Sequence, residues 1–234
     1  METVEKKPLT VIGIGIAGRA GLAPDILQLI RSTDELWGSD RLLAQFADLA
    51  IPKVSLNEKL TEKIKDLPQR EAGKGIVLLA SGDPGFFGLG STLLRKFPQE
   101  QIRLIPQPGF LQEAFAAAGV PWDDAALLSA HHGIQSDLVH HLRRQRKLGI
   151  LTSPQNPPDK IARLMLDCGL DQGCIFVFEN LGMLNQRVFR GSAAECASRS
   201  FADLNVMLIL RDASWQGVPE GALRPDETYA RRNG

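Results

Sequence analysis

The feature that most limits the possible folds is a set of short apolar runs that alternate with helical patterns. Each run is too short for a helix and is bounded by turn residues; the runs span residues 9–14, 75–81, 102–107, 148–153, 174–180 and 204–210. Because apolar and polar residues do not alternate within them, they resemble strands buried on both faces, as in a parallel sheet covered by helices. Strand and helix in turn along the chain predict an α/β fold.

Three local signals mark helices between these runs. Pro24 suits the first position of a helix, where a backbone N–H has no helical partner. Pro158 starts a second apolar stripe that stops at Gly169, a residue type common just beyond a helix. Ser192 and Glu195 have the spacing of a capping box, in which each side chain binds the backbone N–H of the other.

The composition excludes several classes of protein. The chain has 234 residues, of which 44% are hydrophobic, so it can bury one large core or two smaller ones. Its 27 basic and 27 acidic residues balance, whereas nucleic-acid-binding proteins usually carry a basic surface. Three cysteines without metal-type spacing indicate a reducing compartment and no metal site. With no long apolar stretch for a signal peptide or membrane span, we expect a cytoplasmic protein that binds neither nucleic acid nor membrane.

A change of composition near the middle of the chain predicts two domains. Residues 106–124 are rich in Pro and Gly around one short helical pattern. We expect an N-terminal α/β domain over residues 1–112 and a C-terminal α/β domain over 113–213. Residues 214–234 have no apolar periodicity and are interpreted as a tail or linker.

Unusual loops follow five of the predicted strands, at residues 13–18, 81–88, 106–110, 152–158 and 179–182. In open parallel sheets, ligands bind beyond the carboxyl ends of the strands. A single loop of this kind is usually a simple connection, but five together favour a shared ligand cleft between the two halves.

The first of these loops matches the dinucleotide fingerprint at Gly13, Gly15 and Gly18. That fingerprint requires a helix to begin within the glycines, so that its N-terminus faces the pyrophosphate. Here Pro24 is better placed at the start of the helix, which leaves residues 15–23 as an extended loop. An NAD-binding oxidoreductase and a nucleotide-sensing module therefore remain alternative interpretations. The favoured interpretation is a loop that binds a ligand bulkier than a pyrophosphate.

The loop "SGDPGFFG" contains a single acid among bare glycine backbone. Asp83 can accept hydrogen bonds from a ribose or an amino group of a ligand, because an ionised carboxylate is an acceptor only. Its alternative role is to cap the following helix, although Ser91 is better placed for that.

Several of these stretches together resemble the tetrapyrrole methylase family. They are "VIGIGIAG", "LWGSDRLL", "LLASGDPGFFGLGSTLLR", "AAAGVPWDDA", "SAHHG", "FENLGMLNQRVFRGSAAE" and "FADLNVMLIL". The chain is most similar to the branch that methylates C5 of precorrin-7, which occurs alone or as the N-terminal part of a fused C5,15-methyltransferase. The resemblance implies two α/β domains of the class III methyltransferase type, with S-adenosylmethionine in the cleft between them and S-adenosylhomocysteine as its product.

The resemblance also implies roles for particular residues. The expected cofactor contacts are Ile16, Gly82, Asp83, Pro84, Gly85, Phe86, Gly109, Phe110, Thr152, Leu181 and Asn205. The expected substrate contacts are Gly13, Gly15, Gly18, Arg19 and Arg41; the two arginines would face carboxylates of the tetrapyrrole. His131 and His132 are candidates for a catalytic base, with a surface turn as the alternative interpretation.

Two positions depart from the family pattern. Ile16 and Ala17 replace the usual Pro-Gly, and "QPGF" replaces a Gly-Ile-Ser-Ser turn, so hydroxyl contacts expected there are missing. The implied function is S-adenosylmethionine-dependent methylation of C5 of precorrin-7 or cobalt-precorrin-7 in cobalamin biosynthesis, or of another corrin position. The family further implies a homodimer, and the polar C-terminal stretch resembles the linker to a decarboxylating C15-methyltransferase.

Overall fold

The computed structural model describes residues 9–58, 60–70, 74–131 and 135–211. Internal contacts divide the chain into an N-terminal unit that ends at Gly109 and a C-terminal unit that begins at Phe110. The predicted boundary after residue 112 lies inside a continuous helix, Phe110–Ala118, and is therefore three residues late. The predicted tail, 214–234, lies outside the described residues.

The N-terminal unit alternates strands and helices. Its strands are β1 (Leu9–Ile14), β2 (Glu35–Gly38), β3 (Lys53–Ser55), β4 (Ile76–Ser81) and β5 (Ile102–Ile105). Its helices are α1 (Pro24–Arg31), α2 (Asp40–Leu43), α3 (Leu60–Arg70) and α4 (Leu89–Leu94). Helix α1 begins at Pro24, as predicted, because this residue needs no N–H partner there.

The five strands of this unit form one sheet in the order β3-β2-β4-β1-β5, and every pairing is parallel. Both faces of the sheet are covered. Ile12 and Leu79 face one core with α1 and α2, while Val11 and Leu78 face another with α3 and α4. Burial on both faces explains why the strand sequences do not alternate.

The C-terminal unit has five more strands and four helices in the described residues. The strands are β6 (Ala126–Ser129), β7 (Lys147–Leu151), β8 (Cys174–Glu179), β9 (Arg187–Gly191) and β10 (Asn205–Leu210). The helices are α5 (Phe110–Ala118), α6 (Gln135–Arg144), α7 (Pro158–Asp167) and α8 (Ala193–Ala197). The predicted capping box is confirmed at the start of α8, where Ser192 Oγ accepts from Glu195 N and Glu195 Oε2 accepts from Ser192 N.

The expectation of a parallel sheet is wrong for this unit. The order is β6-β7-β10-β8-β9, and only β6 and β7 pair in parallel; β10 runs antiparallel to β7 and β8, and β9 to β8. The strands are nonetheless buried on both faces. Met207 packs among α6, α7 and α8, and Leu208, on the opposite face, is also fully buried. Two-sided burial, and not strand direction, produces the continuous apolar runs.

Alternating strands and helices confirm the α/β fold class. Six of the strands were predicted within a few residues, whereas β2, β3, β6 and β9 were not, because they are short and carry turn-like or charged residues. In the described parts of the chain, no helix combines the length and apolar character that crossing a bilayer requires.

Candidate functional site

Three loops of the N-terminal unit meet at the carboxyl edge of its sheet, after β1, β4 and β5. Gly82 N donates to Ile14 O at 2.8 Å, which ties the second loop to the first. A Cβ on Gly13 would lie 2.1 Å from Gly82 O and 2.9 Å from Gln107 N. The backbones therefore approach so closely that only glycine fits at position 13.

Asp83 shapes the turn that follows β4. Its Oδ1 accepts from Gly85 N at 2.7 Å, and its carbonyl accepts from Phe86 N at 3.1 Å. Neither Asp83 nor Ser91 caps α4, whose N-cap Gly88 has no side-chain partner; Ser91 Oγ instead donates to Gly85 O. Among the described residues, no hydrogen bond involves the second carboxylate oxygen of Asp83, and the neighbouring Pro84 is buried.

The same turn holds an aromatic residue in an unusual conformation. Phe87 has a φ of 50°, in the left-handed region that non-glycine residues rarely adopt, and its side chain is 56% exposed. Its ring lies edge-on to Phe86, with centroids 4.7 Å apart. Such strain persists only where surrounding bonds impose it and is typical of ligand-binding turns.

The structure separates the two arginines that the sequence grouped together. Arg19 forms a two-point ion pair with Asp48, donates to Gln45 O at 3.1 Å and lies over the Phe46 ring. Arg41 instead donates from Nη2 to Ser81 Oγ at 2.8 Å, at the ligand edge of β4. Arg19 is thus already engaged within its own unit, which argues against the predicted role in substrate binding.

The first glycine loop differs in part from the extended segment expected for residues 15–23. A 3-10 turn spans Gly18–Gly21, with Gly18 at a φ of 58°. Helix α1 starts only at Pro24, so it does not begin within the fingerprint glycines. A dinucleotide site requires that it should, because the helix N-terminus binds the pyrophosphate. Ile16 is half-buried directly after Gly15. Gly109 and Phe110 lie where the loop after β5 enters α5.

The C-terminal unit has its own polar edge. Strands β7 and β8 both run antiparallel to β10, so their carboxyl ends meet at the edge where β10 begins. Thr152, only 6% exposed, lies with Oγ1 2.7 Å from both Asn205 O and Asn205 Oδ1. Asn205 Nδ2 donates to Ala202 O, which fixes the amide. Two predicted cofactor residues from distant positions are therefore joined by hydrogen bonds.

The loop after β8 is held by hydrogen bonds and is partly apolar. Asn180 has a φ of 52° and its N–H donates to Leu204 O, while Gly182 N donates to Gln186 Oε1 at 2.8 Å. Leu181, a predicted cofactor contact, is buried. Leu184 at the tip is 93% exposed, which is unusual for so large an apolar side chain.

His131 lies at the same edge as Thr152, directly after the loop residue Ala130. Its ring Nδ1 is 3.2 Å from Ser129 Oγ and the side chain is exposed, as either a base or a surface turn would be. His132 lies outside the described residues. Among the residues that the structure describes, no three His, Cys, Asp or Glu side chains are grouped to hold a metal ion.

Sequence reasoning missed two acids near these edges. Glu179, the last residue of β8, is buried and accepts from Arg187 Nη2 at 2.8 Å and from Ala202 N at 2.6 Å. Glu113 lies in the first turn of α5, where burial raises the pKa of its carboxyl. An acid that ends an apolar run was the available signal for Glu179, whereas nothing in the sequence marks Glu113.

Comparison with known proteins gives consistent relatives. The family model described as Tetrapyrrole (Corrin/Porphyrin) Methylases matches residues 8–197. Cobalt-precorrin-7 C(5)-methyltransferase of Salmonella typhimurium is 36% identical over 180 residues, covering 77% of this chain and 88% of that protein. Precorrin-6Y C(5,15)-methyltransferase of a Sinorhizobium species is also 36% identical, over 94% of this chain but only 54% of its own length.

Solved structures share the fold. The cobalamin biosynthesis precorrin-6Y methylase of Archaeoglobus fulgidus has a TM-score of 0.70 at 21% identity, covering 88% of this chain and 99% of its own. Uroporphyrin-III C-methyl transferase of Thermus thermophilus, solved with S-adenosyl homocysteine, has a TM-score of 0.65 at 17% identity, covering 86% and 96%. The family match, the identity and the shared fold agree, and the chain belongs to the tetrapyrrole methylase family.

Proposed function

We propose that this chain is an S-adenosylmethionine-dependent methyltransferase that methylates C5 of precorrin-7 or cobalt-precorrin-7 in cobalamin biosynthesis. The observation that carries the proposal is the 36% identity across 88% of a cobalt-precorrin-7 C(5)-methyltransferase. The fused relative is named for both C5 and C15, and this chain covers 54% of it, which agrees with one of its two activities. The proposed carbon, and the two proposed forms of the substrate with and without cobalt, are taken from the names of these relatives.

The residues present fit the cofactor. Glycine backbone beside Asp83 is bare, and the free carboxylate oxygen can accept from a ribose or amino group. In the other unit, Thr152 and Asn205 form a hydrogen-bonded polar pair, and Leu181 is buried in the loop after β8. We propose that both sets contribute to S-adenosylmethionine binding. When bound, that cofactor supplies a methyl group on a sulfonium.

For this reaction the main task of the protein is to align the methyl donor with the acceptor carbon. A reduced tetrapyrrole is enamine-like at its bridge carbons, so the substrate carbon is itself the nucleophile. Holding donor and acceptor about 3–3.5 Å apart can be worth roughly 7–11 kcal/mol of the barrier. Once methylated, the substrate carbon would have to lose a proton. Among the residues that the structure describes, His131, which is exposed just beyond β6, is proposed to accept this proton.

The N-terminal loops are proposed to contact the macrocycle. Gly13 is buried against the neighbouring loops, whereas Gly15 and Gly18 are half-buried, so the backbone around Gly15 and Gly18 is the part proposed to meet a large flat ligand. We further propose that the enzyme acts as a homodimer in the cytoplasm. Its free cysteines suit a reducing compartment, and sedimentation of the purified chain tests the subunit count.

Methyl transfer to a defined carbon tests the proposal directly. The purified chain is incubated with isotopically labelled S-adenosylmethionine and precorrin-7, or its cobalt form, and the product is located by mass spectrometry and NMR. We expect a single labelled methyl at C5 and none at C15. Transfer to another position would assign the chain to a different methylation step, and tight binding of NAD without transfer would contradict the methyltransferase.

A further inference from the structure

Among the residues that the structure describes, one cation at the carboxyl edge of the N-terminal sheet has no carboxylate partner. Arg41 lies in α2, directly after β2, and its Nη2 donates to Ser81 Oγ at 2.8 Å. Ser81 is the last residue of β4 and immediately precedes Gly82 and Asp83. Because β2 and β4 are parallel neighbours, both residues stand at the edge where the glycine loops meet.

The acid beside Arg41 does not neutralise it. Asp40 Oδ2 accepts from Asn57 Nδ2 at 2.7 Å, and Asn57 Oδ1 accepts from Asp40 N at 3.2 Å. Across the described ranges of the chain, Arg41 forms no ion pair. Burial lowers the pKa of its guanidinium, although an arginine stays protonated at neutral pH. The side chain is nevertheless exposed, so its remaining N–H groups are accessible to a ligand that carries a carboxylate.

Arg19 provides the contrast. Both of its terminal nitrogens are bound to Asp48, and its backbone N–H donates to Gln45 Oε1. The guanidinium of Arg19 thus pairs with an anion of the protein, whereas within the described residues that of Arg41 binds a neutral hydroxyl. A guanidinium binds carboxylates in a planar, two-point geometry, and the hydrogen bond to Ser81 restricts the rotation of the fork.

We propose that Arg41, oriented by Ser81, binds a peripheral carboxylate of the tetrapyrrole substrate, and that Arg19 has a structural role instead. This inference rests on the proposed function, since it takes the substrate from there. The free N–H groups of Arg41 donate to the carboxylate, while Ser81 is a positioning residue that fixes one nitrogen. No covalent step is involved.

Equilibrium binding tests this without requiring turnover. Precorrin-7 is titrated into the full chain saturated with S-adenosylhomocysteine, with tryptophan fluorescence as the signal. Arg41→Ala should raise the substrate Kd about 10- to 100-fold, the range for a lost charge-assisted hydrogen bond. Arg41→Lys, which keeps the charge but loses the fork, should lie between, and Ser81→Ala should raise Kd a few-fold. The Kd for S-adenosylhomocysteine should not change in any of them.

Two controls make the result specific. Arg95→Ala removes an exposed arginine directly after α4, whose guanidinium donates to Thr92 Oγ1, and should bind like the parent chain. A substrate with its carboxylates esterified should bind the parent chain as weakly as the free acid binds Arg41→Ala, and that variant should not discriminate between them. An unchanged substrate Kd in Arg41→Ala, or an equal loss of S-adenosylhomocysteine binding, would overturn the inference.

The proposed function fails separately. If the parent chain binds precorrin-7 but transfers no methyl group, the proposed reaction is wrong. The carboxylate site is then still decided by the substrate Kd values of the Arg41 variants. If transfer proceeds and Arg41→Ala has the parent KM, the reaction stands and the carboxylate site falls. Thermal unfolding of each variant shows that a weakened Kd does not reflect a misfolded chain.

Discussion

Gly13 shows how a single residue controls the packing of three loops. Its Cα hydrogen occupies the space where a methyl group would meet Gly82 O at 2.1 Å and Gln107 N at 2.9 Å. Both neighbours are backbone atoms in the loops after β4 and β5, so neither can turn aside as a flexible side chain would. The loop after β4, which contains Asp83, would have to move.

Gly13→Ala should therefore destabilise the fold by about 1–3 kcal/mol, as overpacking usually does, and weaken S-adenosylhomocysteine binding. Urea unfolding and calorimetry measure the two effects. Gly15→Ala is the stability control, because its Cβ would make an ordinary contact with Pro108 O at 3.4 Å. Equal unfolding midpoints for the two variants would show that the loops are less constrained than the structure indicates.

Cys196 gives a prediction about pH. It is fully buried against α7, with its Sγ donating to Pro158 O, and burial raises its pKa to about 12, whereas Cys168 is exposed. Since the thiolate is the nucleophile, iodoacetamide near pH 8 should label Cys168 in the native protein and reach Cys196 only after unfolding. Mass spectrometry of the peptides reads this out, and native labelling of Cys196 at the rate of Cys168 would contradict it.

The same shift has a consequence for stability. The pKa of Cys196 in the folded protein lies above the unfolded value of about 8.5. The contribution of this thiol to the free energy of unfolding is therefore complete below about pH 8.5 and is lost as the pH rises towards 12. The stability of Cys196→Ala should therefore fall less steeply between these pH values than that of the parent chain. Urea unfolding midpoints measured across this range test the difference.

Among the elements, α8 is a short helix whose start is defined by its capping box. It packs on α7 through Ala193 and Cys196, which belong to the core of the C-terminal unit. A five-residue helix has few internal hydrogen bonds, so its N-terminal cap forms a large part of its local support. The cap was recognisable in the sequence because its two residues are only three positions apart.

Ser192→Ala should destabilise the protein by about 1 kcal/mol, because the N–H of Glu195 loses its acceptor. Chemical denaturation measures the loss. Ser192→Thr keeps the hydroxyl and should retain most of the stability, so identical losses in the two variants would assign the effect to packing at this position.

For the whole molecule, cofactor binding should appear as added stability. A ligand that binds only the folded state stabilises it by about 2.7 kcal/mol at 100 times its Kd. S-adenosylhomocysteine should therefore raise the Tm of the full chain, whereas NAD and GTP should not. A comparable rise with NAD would favour the dinucleotide interpretation of the first glycine loop.

Two variants extend this test to both units. Asp83→Asn keeps an oxygen for Gly85 N but loses the charge, and Asn205→Ala removes the amide partner of Thr152. Each should reduce the Tm increase caused by S-adenosylhomocysteine. If one variant shows the full increase, the proposed contribution of that unit to cofactor binding is wrong.

The sequence alone determined most of the local structure, because strands, helix starts and caps depend on residues close together in the chain. Pro24 and Ser192 lie where predicted, and all six apolar runs became strands, five of them in the interior of their sheets. The pairing of Thr152 with Asn205 was expected only as a shared ligand role, since a separation of 53 residues leaves no local signal.

Only the tertiary structure decided the direction of the strands in the C-terminal sheet and the separate roles of Arg19 and Arg41. Continuous apolar runs record burial on both faces, which parallel and antiparallel strands share, so strand direction is not encoded in them. Both arginines follow glycine-rich strand ends and look equivalent in sequence. Asp48 neutralises one and Ser81 holds the other because folding brings distant segments within hydrogen-bonding distance.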